Sequence, residues 1–329
     1  MSHVLILGGT AEARDLAARL DAQGVPLTSS LAGRVSQPRL PVGPVRVGGF
    51  GGVAGLTDWL REHEVSAVVD ATHPFAATMT AHAAAAAERA GVPVLRLARP
   101  GWRERPDAAS WSWVGDVDAA RERAETLGGR PFVTTGRQSL GRYAGWTDRP
   151  VLVRVVEPLT EPVPAGWSVL EARGPYDVTG ERELMTRHRV DVLLTKDSGG
   201  SYTAAKLDAA AELGVPVVVV SRPSPPAGLR EVPDVAAVLA GQVAGVDAVV
   251  DDPLQQQRHR RDQDAAEDGE RERREGSELG GLEHRAVSGR DGGDQRSQTE
   301  IQGVIPRADD EYDAKGVVLY PAAPRQLRD

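Results

Sequence analysis

An acid, a hydroxyl, an imidazole and an aromatic ring stand close together in the stretch Asp70-Ala-Thr-His-Pro-Phe-Ala76. An apolar run at residues 67–69 leads into this stretch, and an alanine-rich run follows it. We expect a buried strand to end and a helix to begin there, which places the polar side chains where open α/β sheets bind ligands. An unperturbed imidazole titrates near neutrality, so His73 could move a proton. A plain strand–helix connection, in which His73 only caps or packs, fits this segment equally well.

The elements that must position these side chains follow a repeated strand–helix pattern. Val4-Leu-Ile-Leu7 is a short continuous apolar run, typical of a strand buried on both faces, and the helical pattern of residues 11–20 follows it. The pattern starts again at Phe132 and continues to the valine-rich run that ends at Ser221. Strands that alternate with helices favour parallel sheets with right-handed crossovers. The sequence therefore predicts two α/β domains, at residues 1–128 and 129–247. Within the first, residues 99–103 and 111–113 are predicted to be irregular, and their tryptophans are expected to be core residues beneath a loop rather than to stack on a ligand.

The remainder, residues 248–329, differs in composition. It holds 13 Lys and Arg against 19 Asp and Glu, so most of the chain's net charge of −8 lies in it. Between residues 255 and 300 the only large apolar residues are Leu279, Leu282 and Val287. Such a segment buries too little apolar surface to offset chain entropy. We predict a disordered tail, despite a small apolar patch at residues 317–320.

Composition excludes several classes of protein. The chain has no cysteine, which excludes disulfides, thiolate nucleophiles, iron–sulfur clusters and cysteine-rich zinc sites, and we predict no metal site. No apolar run is long enough to cross a bilayer, and no signal peptide is visible, so we expect a cytoplasmic protein that does not act at a membrane. The nearly neutral body lacks the clustered basic face of a nucleic-acid-binding protein.

Glycine-rich loops follow strands in the first half. At Gly8-Gly-Thr10, backbone N–H groups and a helix N-terminus suit a phosphate, although the loop lacks the G-x-G-x-x-G spacing and a tight turn without ligand is as consistent. In Gly48-Gly-Phe-Gly-Gly52, Phe50 could stack on a flat ligand or plug beneath it. Arg34 follows the second strand, where an arginine favours the 2′-phosphate of NADP(H) over NAD(H), unless it is only a surface residue.

Cations follow strands in the second half. Arg137, Lys196 and Arg222 stand at predicted strand ends, and Ser198-Gly-Gly200 adds backbone donors at a helix start. Arginine and lysine recognise carboxylates, so this half suits an anion if both sheets turn their carboxyl edges into one cleft. The alternative interpretation is that these cations form ion pairs on the surface and bind no ligand.

Taken together and in this order, the motifs resemble those of the precorrin-6A reductase family of cobalamin biosynthesis, which includes cobalt-precorrin-6A reductases. They are Gly8-Gly-Thr10 with Glu12-Ala-Arg14, Ser30-Leu-Ala-Gly-Arg34, Arg46-Val-Gly-Gly-Phe-Gly-Gly52, Asp70-Ala-Thr-His-Pro-Phe-Ala76, Gly136-Arg-Gln138 and Lys196-Asp-Ser-Gly-Gly200. The resemblance runs from about residue 3 to residue 243, and the tail has no counterpart.

The resemblance implies two Rossmann-like domains with the active site between them. It implies that NADPH reduces one C=C bond of the precorrin-6A macrocycle to give precorrin-6B, with hydride added to one carbon and a proton to its neighbour. This tetrapyrrole bears many carboxylates, which suits the cations of the second half. Other enzymes of the corrin pathway are the implied protein partners, and no nucleic acid is expected.

The site residues divide by role. We expect Thr72 and His73 at the reacting centre, where His73 either donates the proton or hydrogen-bonds the substrate while water delivers the proton. The expected cofactor-binding residues are Gly8, Gly9, Thr10, Arg14, Gly33, Arg34, Gly49, Phe50 and Gly51. The expected substrate-binding residues are Arg137, Gln138, Lys196, Ser198, Gly199 and Arg222.

Two other hypotheses about the function remain open at this point. One is a cofactor-free tetrapyrrole synthase of the uroporphyrinogen-III synthase kind, which also grips a polycarboxylate between two α/β domains, although the glycine loops and Arg34 argue against it. The other is a tetrapyrrole carrier without catalysis. The sequence does not separate a metal-free substrate from its cobalt-containing analogue.

Overall fold

The architecture is taken from a computed structural model, which describes residues 3–33, 39–240 and 318–319. The predicted disordered tail falls outside these residues except for Val318 and Leu319. No helix in the described ranges has the length and apolar character needed to cross a membrane.

The described elements alternate between strand and helix along most of the chain. The strands are β1 (His3–Leu7), β2 (Leu27–Leu31), β3 (Val45–Val47), β4 (Val65–Asp70), β5 (Val94–Leu97), β6 (Ser112–Val114), β7 (Pro131–Val133), β8 (Val151–Val155), β9 (Trp167–Glu171), β10 (Val192–Lys196), β11 (Val217–Val220), β12 (Arg230–Val232) and β13 (Val318–Leu319). The helices are α1 (Ala11–Ala22), α2 (Gly52–Glu62), α3 (Ala77–Ala90), α4 (Val117–Glu125), α5 (Val178–His188), α6 (Ala205–Leu213) and α7 (Val235–Leu239).

The strands form two sheets. The first has the order β12-β5-β4-β1-β2-β3, and all its pairings are parallel. The second has the order β13-β9-β8-β7-β10-β11-β6, parallel throughout except for the short antiparallel pairing of β13 with β9. The prediction of an α/β protein with two parallel sheets is therefore confirmed.

Each sheet is covered on both faces. In β1, Val4 and Ile6 pack into one hydrophobic cluster with α1, while Leu5 and Leu7 pack into another with α2 and α3. All four side chains are buried, as the unbroken apolar run predicts. Two buried faces leave the strand ends as the places where polar groups can meet a ligand.

Sheet membership does not divide at residue 128. β6 pairs with β11 of the second sheet, although residues 1–128 are predicted as the first domain. β12 pairs with β5 of the first sheet, although residues 129–247 are predicted as the second domain. The chain therefore crosses between the sheets twice, at residues 98–111 and 221–229. Strands of three residues are too short for periodicity to reveal, and their pairing depends on partners distant in sequence.

Candidate active site

Asp70, the last residue of β4, is fully buried and anchors the loop that follows it. Its Oδ1 accepts hydrogen bonds from the Thr72 backbone N–H at 3.1 Å and from the Thr72 hydroxyl at 2.6 Å. Its Oδ2 accepts from the Thr80 hydroxyl at 2.6 Å and from the Arg96 guanidinium at 2.9 Å. Arg96 also pairs with Glu231 of β12 at 2.9 Å. These donors occupy both oxygens of Asp70, so the carboxylate holds the loop and is not free for proton transfer.

Phe75 carries this loop across to the second sheet. Its ring packs against the hydrophobic core of that sheet, which includes Val133 and Tyr143. The ammonium of Lys196, at the end of β10, lies 5.3 Å from the centre of the same ring. The loop after β4 and the end of β10 are therefore neighbours, as a cleft shared by the two sheets requires.

His73 is held as a neutral imidazole. The Phe75 backbone N–H donates to its Nδ1 at 3.2 Å, and a nitrogen that accepts carries no proton, so the proton lies on Nε2. Displacement of water by the surrounding protein and the charges of nearby cations lower the pKa of His73 to about 3. Those cations are Arg99, Lys196, Arg222 and Arg96. At neutral pH His73 can therefore donate a hydrogen bond from Nε2, but it does not carry an acidic imidazolium proton.

Most of these cations already have carboxylate partners. Arg96 pairs with Asp70 and Glu231, Arg99 donates to the Glu12 carboxylate at 2.8 Å, and Arg222 Nε lies 3.5 Å from a carboxylate oxygen of Asp197. The ammonium of Lys196 has no hydrogen bond or ion pair within the described part of the chain, and burial lowers its pKa. One terminal nitrogen of Arg222 is also buried and has no partner among the described residues. Unsatisfied cationic donors beside His73 suit an incoming carboxylate.

The loop at residues 196–200 is fastened to the first crossing segment. Arg99 Nε donates to the Ser198 carbonyl at 2.6 Å. The Trp102 backbone N–H donates to the Asp197 carboxylate at 2.9 Å. Gly199 has a φ of 68°, and a Cβ there would overlap the Arg222 guanidinium, so this position requires glycine. Trp102 is a buried core residue beneath the loop.

The first sheet offers a second cleft where β1 and β2 end. Its lining includes Gly8, Gly9, Arg14, Ser29 and Arg39. The Ser29 hydroxyl is buried and has no partner among the described residues, and two arginines bring positive charge to the same place. Backbone donors at a helix start, an unsatisfied hydroxyl and two cations fit a nucleotide that carries phosphates.

Thr10 supports this cleft through its side chain. Its hydroxyl accepts a hydrogen bond from the Ala13 N–H at 3.1 Å, which caps α1. The same hydroxyl donates to the Ala71 carbonyl at 2.8 Å, which ties the Gly8–Gly9 turn to the end of β4. The hydroxyl is thus engaged within the protein, and only the backbone of Thr10 is available to a cofactor.

The glycine-rich loop at residues 48–52 folds around Arg46. The Arg46 guanidinium donates to the carbonyls of Gly48 at 2.6 Å and Gly49 at 2.7 Å, and it lies 3.8 Å from the centre of the Phe50 ring. Phe50 also meets Trp59 edge to face, with ring centres 5.6 Å apart. Of the two roles predicted for Phe50, this packing matches the plug beneath the loop.

The other predicted residues are less closely associated with the site. Gly33 lies beside Val47 with a φ of 70°, and Gly51 caps the N-terminus of α2 with a φ of 82°. Arg34 lies outside the described residues. Arg137 and Gln138 are exposed at the start of a short 3₁₀ turn, where Arg137 donates to the Pro158 carbonyl at 3.3 Å.

Sequence reasoning missed Arg39 and Arg99. Arg99 stands two residues after the end of β5, so the rule that strand ends carry ligand-binding groups would have found it. Arg39 lies in a proline-rich loop with no pattern that marks it, and only its position beside Gly9 and Arg14 reveals it.

Comparison with known proteins identifies relatives along this part of the chain. A family model described as Precorrin-6x reductase CbiJ/CobK matches residues 3–241. A Rhodococcus erythropolis protein named precorrin-6A reductase is 50% identical over 241 residues, which cover 73% of this chain and 97% of that protein. A Salmonella typhimurium protein named cobalt-precorrin-6A reductase is 30% identical, covering 68% of this chain and 88% of that protein. A solved structure named CobK precorrin-6A reductase is similar with a TM-score of 0.68 and 38% identity, covering 73% of this chain and 95% of that one.

Replacing Asp70 tests its anchoring role. Asp70→Asn leaves the buried Arg96 with much of its charge uncompensated, so we expect the free energy of unfolding to fall by about 3 kcal/mol in urea titrations. The matched control is Asp15→Asn, which removes the exposed Asp15–Arg19 pair at 3.1 Å and should cost about 0.5 kcal/mol or less. Similar small losses in both variants would contradict an anchoring role.

The protonation state of His73 is measurable by NMR. We expect its ¹⁵N shifts to report a neutral ring with the proton on Nε2 from about pH 8 down to about pH 5. The unfolded chain binds this proton near pH 6.5 and the folded chain only near pH 3, so His73 lowers stability as pH falls through that window and has no effect above it. His73→Asn should therefore reduce the acid-induced loss of stability. An imidazolium at pH 6 would contradict this assignment.

Proposed function

Because the chain belongs to the precorrin-6x reductase family, we propose that it catalyses the NADPH-dependent reduction of one C=C bond of precorrin-6A to precorrin-6B in cobalamin biosynthesis. The observation at the site that carries this proposal is the pair of unsatisfied cationic donors at Lys196 and Arg222, which lie near His73 at the edge of the second sheet. A macrocycle with many carboxylates supplies the missing partners.

Binding of the substrate begins with these charges. The ammonium of Lys196 takes one carboxylate, and the unpartnered nitrogen of Arg222 takes another acceptor. Arg96 and Arg99 already pair with carboxylates of the protein, so they add positive charge to the surroundings without binding the substrate directly. Gly199 lets the loop lie close to Arg222, so its backbone can also contact the substrate. Gln138 and Arg137 are proposed as outer contacts, and Ser198 lies within the same loop.

The cofactor site is proposed at the cleft after β1 and β2. NADPH, when bound, supplies the hydride. The backbone of Gly8, Gly9 and Thr10 would hold the pyrophosphate at the start of α1, and Arg14 with Arg39 would hold further phosphate charge. Arg34 remains our proposed partner for the 2′-phosphate. Gly33, Gly49 and Gly51 would let backbone approach the cofactor, with Phe50 supporting that loop from beneath.

His73 binds and orients the substrate in this proposal. Its Nε2–H donates a hydrogen bond to the substrate, while desolvation and the nearby cations oppose a charged imidazolium. The proton for the second carbon then comes from water. Thr72 gives its hydroxyl hydrogen to Asp70, so only its oxygen is available, as an acceptor. The enzyme's own contribution is to hold the two reactants close and to exclude bulk water.

The substrate is proposed to be the metal-free macrocycle. The chain is more similar to the relative named precorrin-6A reductase than to the one named cobalt-precorrin-6A reductase. This difference supports the metal-free form, and a direct comparison of the two substrates decides it.

The cofactor assignment predicts a selective stabilisation. A ligand that binds only the native state raises its melting temperature, so NADPH should raise Tm more than NADH at equal concentration. Arg39→Gln should reduce the difference between the Tm increases produced by NADPH and by NADH, because it removes a cation from the cleft. Arg19→Gln, on the exposed face of α1, is the control and should leave the difference unchanged. Equal shifts with both dinucleotides would contradict the proposed NADPH selectivity.

The reaction itself is followed by the loss of NADPH absorbance with precorrin-6A and, separately, with cobalt-precorrin-6A. We expect oxidation with the metal-free substrate, and Lys196→Met should raise KM about tenfold or more, since a charge-assisted hydrogen bond is worth about 1.5–3 kcal/mol. Arg182→Met removes an exposed surface pair and should leave KM unchanged. Tight binding of precorrin-6A without NADPH oxidation would indicate a carrier and overturn the proposal.

A further inference from the structure

Arg99 contacts both proposed half-sites with one guanidinium group. Its Nη1 donates to the Glu12 carboxylate at 2.8 Å, and Glu12 lies in the first turn of α1, two residues after Thr10. Its Nε donates to the Ser198 carbonyl at 2.6 Å, within the loop that carries Lys196. The guanidinium is mostly buried, with 19% of the Arg99 side chain exposed.

The rest of the Arg99 residue reinforces the second contact. Its carbonyl accepts a hydrogen bond from the Arg222 guanidinium at 2.8 Å. The loop backbone packs so closely on its side chain that a Cβ at Gly200 would lie 2.9 Å from the Arg99 Cδ. Arg99 thus contacts the Ser198 carbonyl and Arg222 together.

The first contact depends on charge near the start of α1. Glu12 lies where a bound phosphate would repel it, because both are anions beside the same helix N-terminus. Pairing with Arg99 removes most of that repulsion. A phosphate at the Gly8–Thr10 turn and a docked Arg99 therefore stabilise each other.

From these contacts we infer that Arg99 is a positioning residue that couples the two ligands, so that a nicotinamide dinucleotide phosphate bound beside α1 tightens the binding of the polycarboxylate substrate at the loop 196–200. This inference rests on the proposed function. Thermodynamic linkage requires the reverse effect to be equal, so the substrate tightens dinucleotide binding by the same factor.

Binding measurements with the unreactive pair NADP⁺ and precorrin-6A test the coupling, because NADP⁺ has no hydride to transfer. The Kd of precorrin-6A is measured by titration calorimetry without and with saturating NADP⁺, and the Kd of NADP⁺ without and with precorrin-6A. In the native protein we expect each Kd to fall by the same factor, about 5- to 50-fold.

Two substitutions isolate the guanidinium. Arg99→Lys keeps the positive charge near His73 but cannot donate to both partners with a planar fork, so the coupling factor should fall below about twofold. Glu12→Gln removes the charge from the first contact and should also lower the factor. Arg105→Lys is the matched control, since Arg105 bridges Asp107 at 3.0 Å and Asp208 at 2.6 Å away from both half-sites, and it should leave the factor unchanged.

The outcomes separate the inference from the function on which it rests. If both ligands bind and the native factor is below about twofold, or if Arg99→Lys retains the native factor, the coupling role is overturned while the proposed function stands. If neither NADP⁺ nor precorrin-6A binds the native protein, the proposed function fails and the inference fails with it. If Glu12→Gln lowers the stability of the protein but keeps the native coupling factor between the two ligands, Arg99 has only a structural role.

Discussion

The buried ion pair between Asp70 and Arg96 supports most of what surrounds the candidate site. Burying two charges costs several kcal/mol of desolvation, and the cost is offset only when other hydrogen bonds saturate both groups. Here Thr72 and Thr80 complete the carboxylate, and Glu231 completes the guanidinium. The pair joins β4 and β5 to the loop that carries His73, to α3 and to β12. The strand β12, which returns to the first sheet, is therefore held at the same point as the loop.

Charge around His73 is arranged by residues from both sheets. The three arginines are paired with carboxylates, whereas Lys196 and one nitrogen of Arg222 lack partners within the described residues. The site is therefore positive without being saturated. Desolvation and then these cations lower the pKa of His73, and the same positive charge suits an anionic ligand.

The exchange of β6 and β12 between the sheets places two crossing segments beside this site. Arg99 lies in one crossing and Arg222 in the other, and the two residues are joined by a hydrogen bond of 2.8 Å. Both also contact the loop after β10. A movement of one sheet relative to the other would break or shift the hydrogen bonds of this cluster. The contact of Arg99 with Glu12 therefore connects the two proposed half-sites physically.

Local sequence determined the longer elements and their strand-end loops, because periodicity and glycine position act over a few residues. The unbroken run at Val4–Leu7 specified a strand buried on both faces. The residue types at residues 70–76 indicated a candidate site, with a plain strand–helix connection as the alternative. Tertiary structure alone decided that β6 and β12 change sheets, that the Thr10 hydroxyl is consumed by α1 and Ala71, and that Phe50 lies beneath its loop. It also decided that His73 is neutral. Its pKa depends on the desolvation and on cations such as Lys196 and Arg222, which lie far along the chain and reach His73 only through long-range packing.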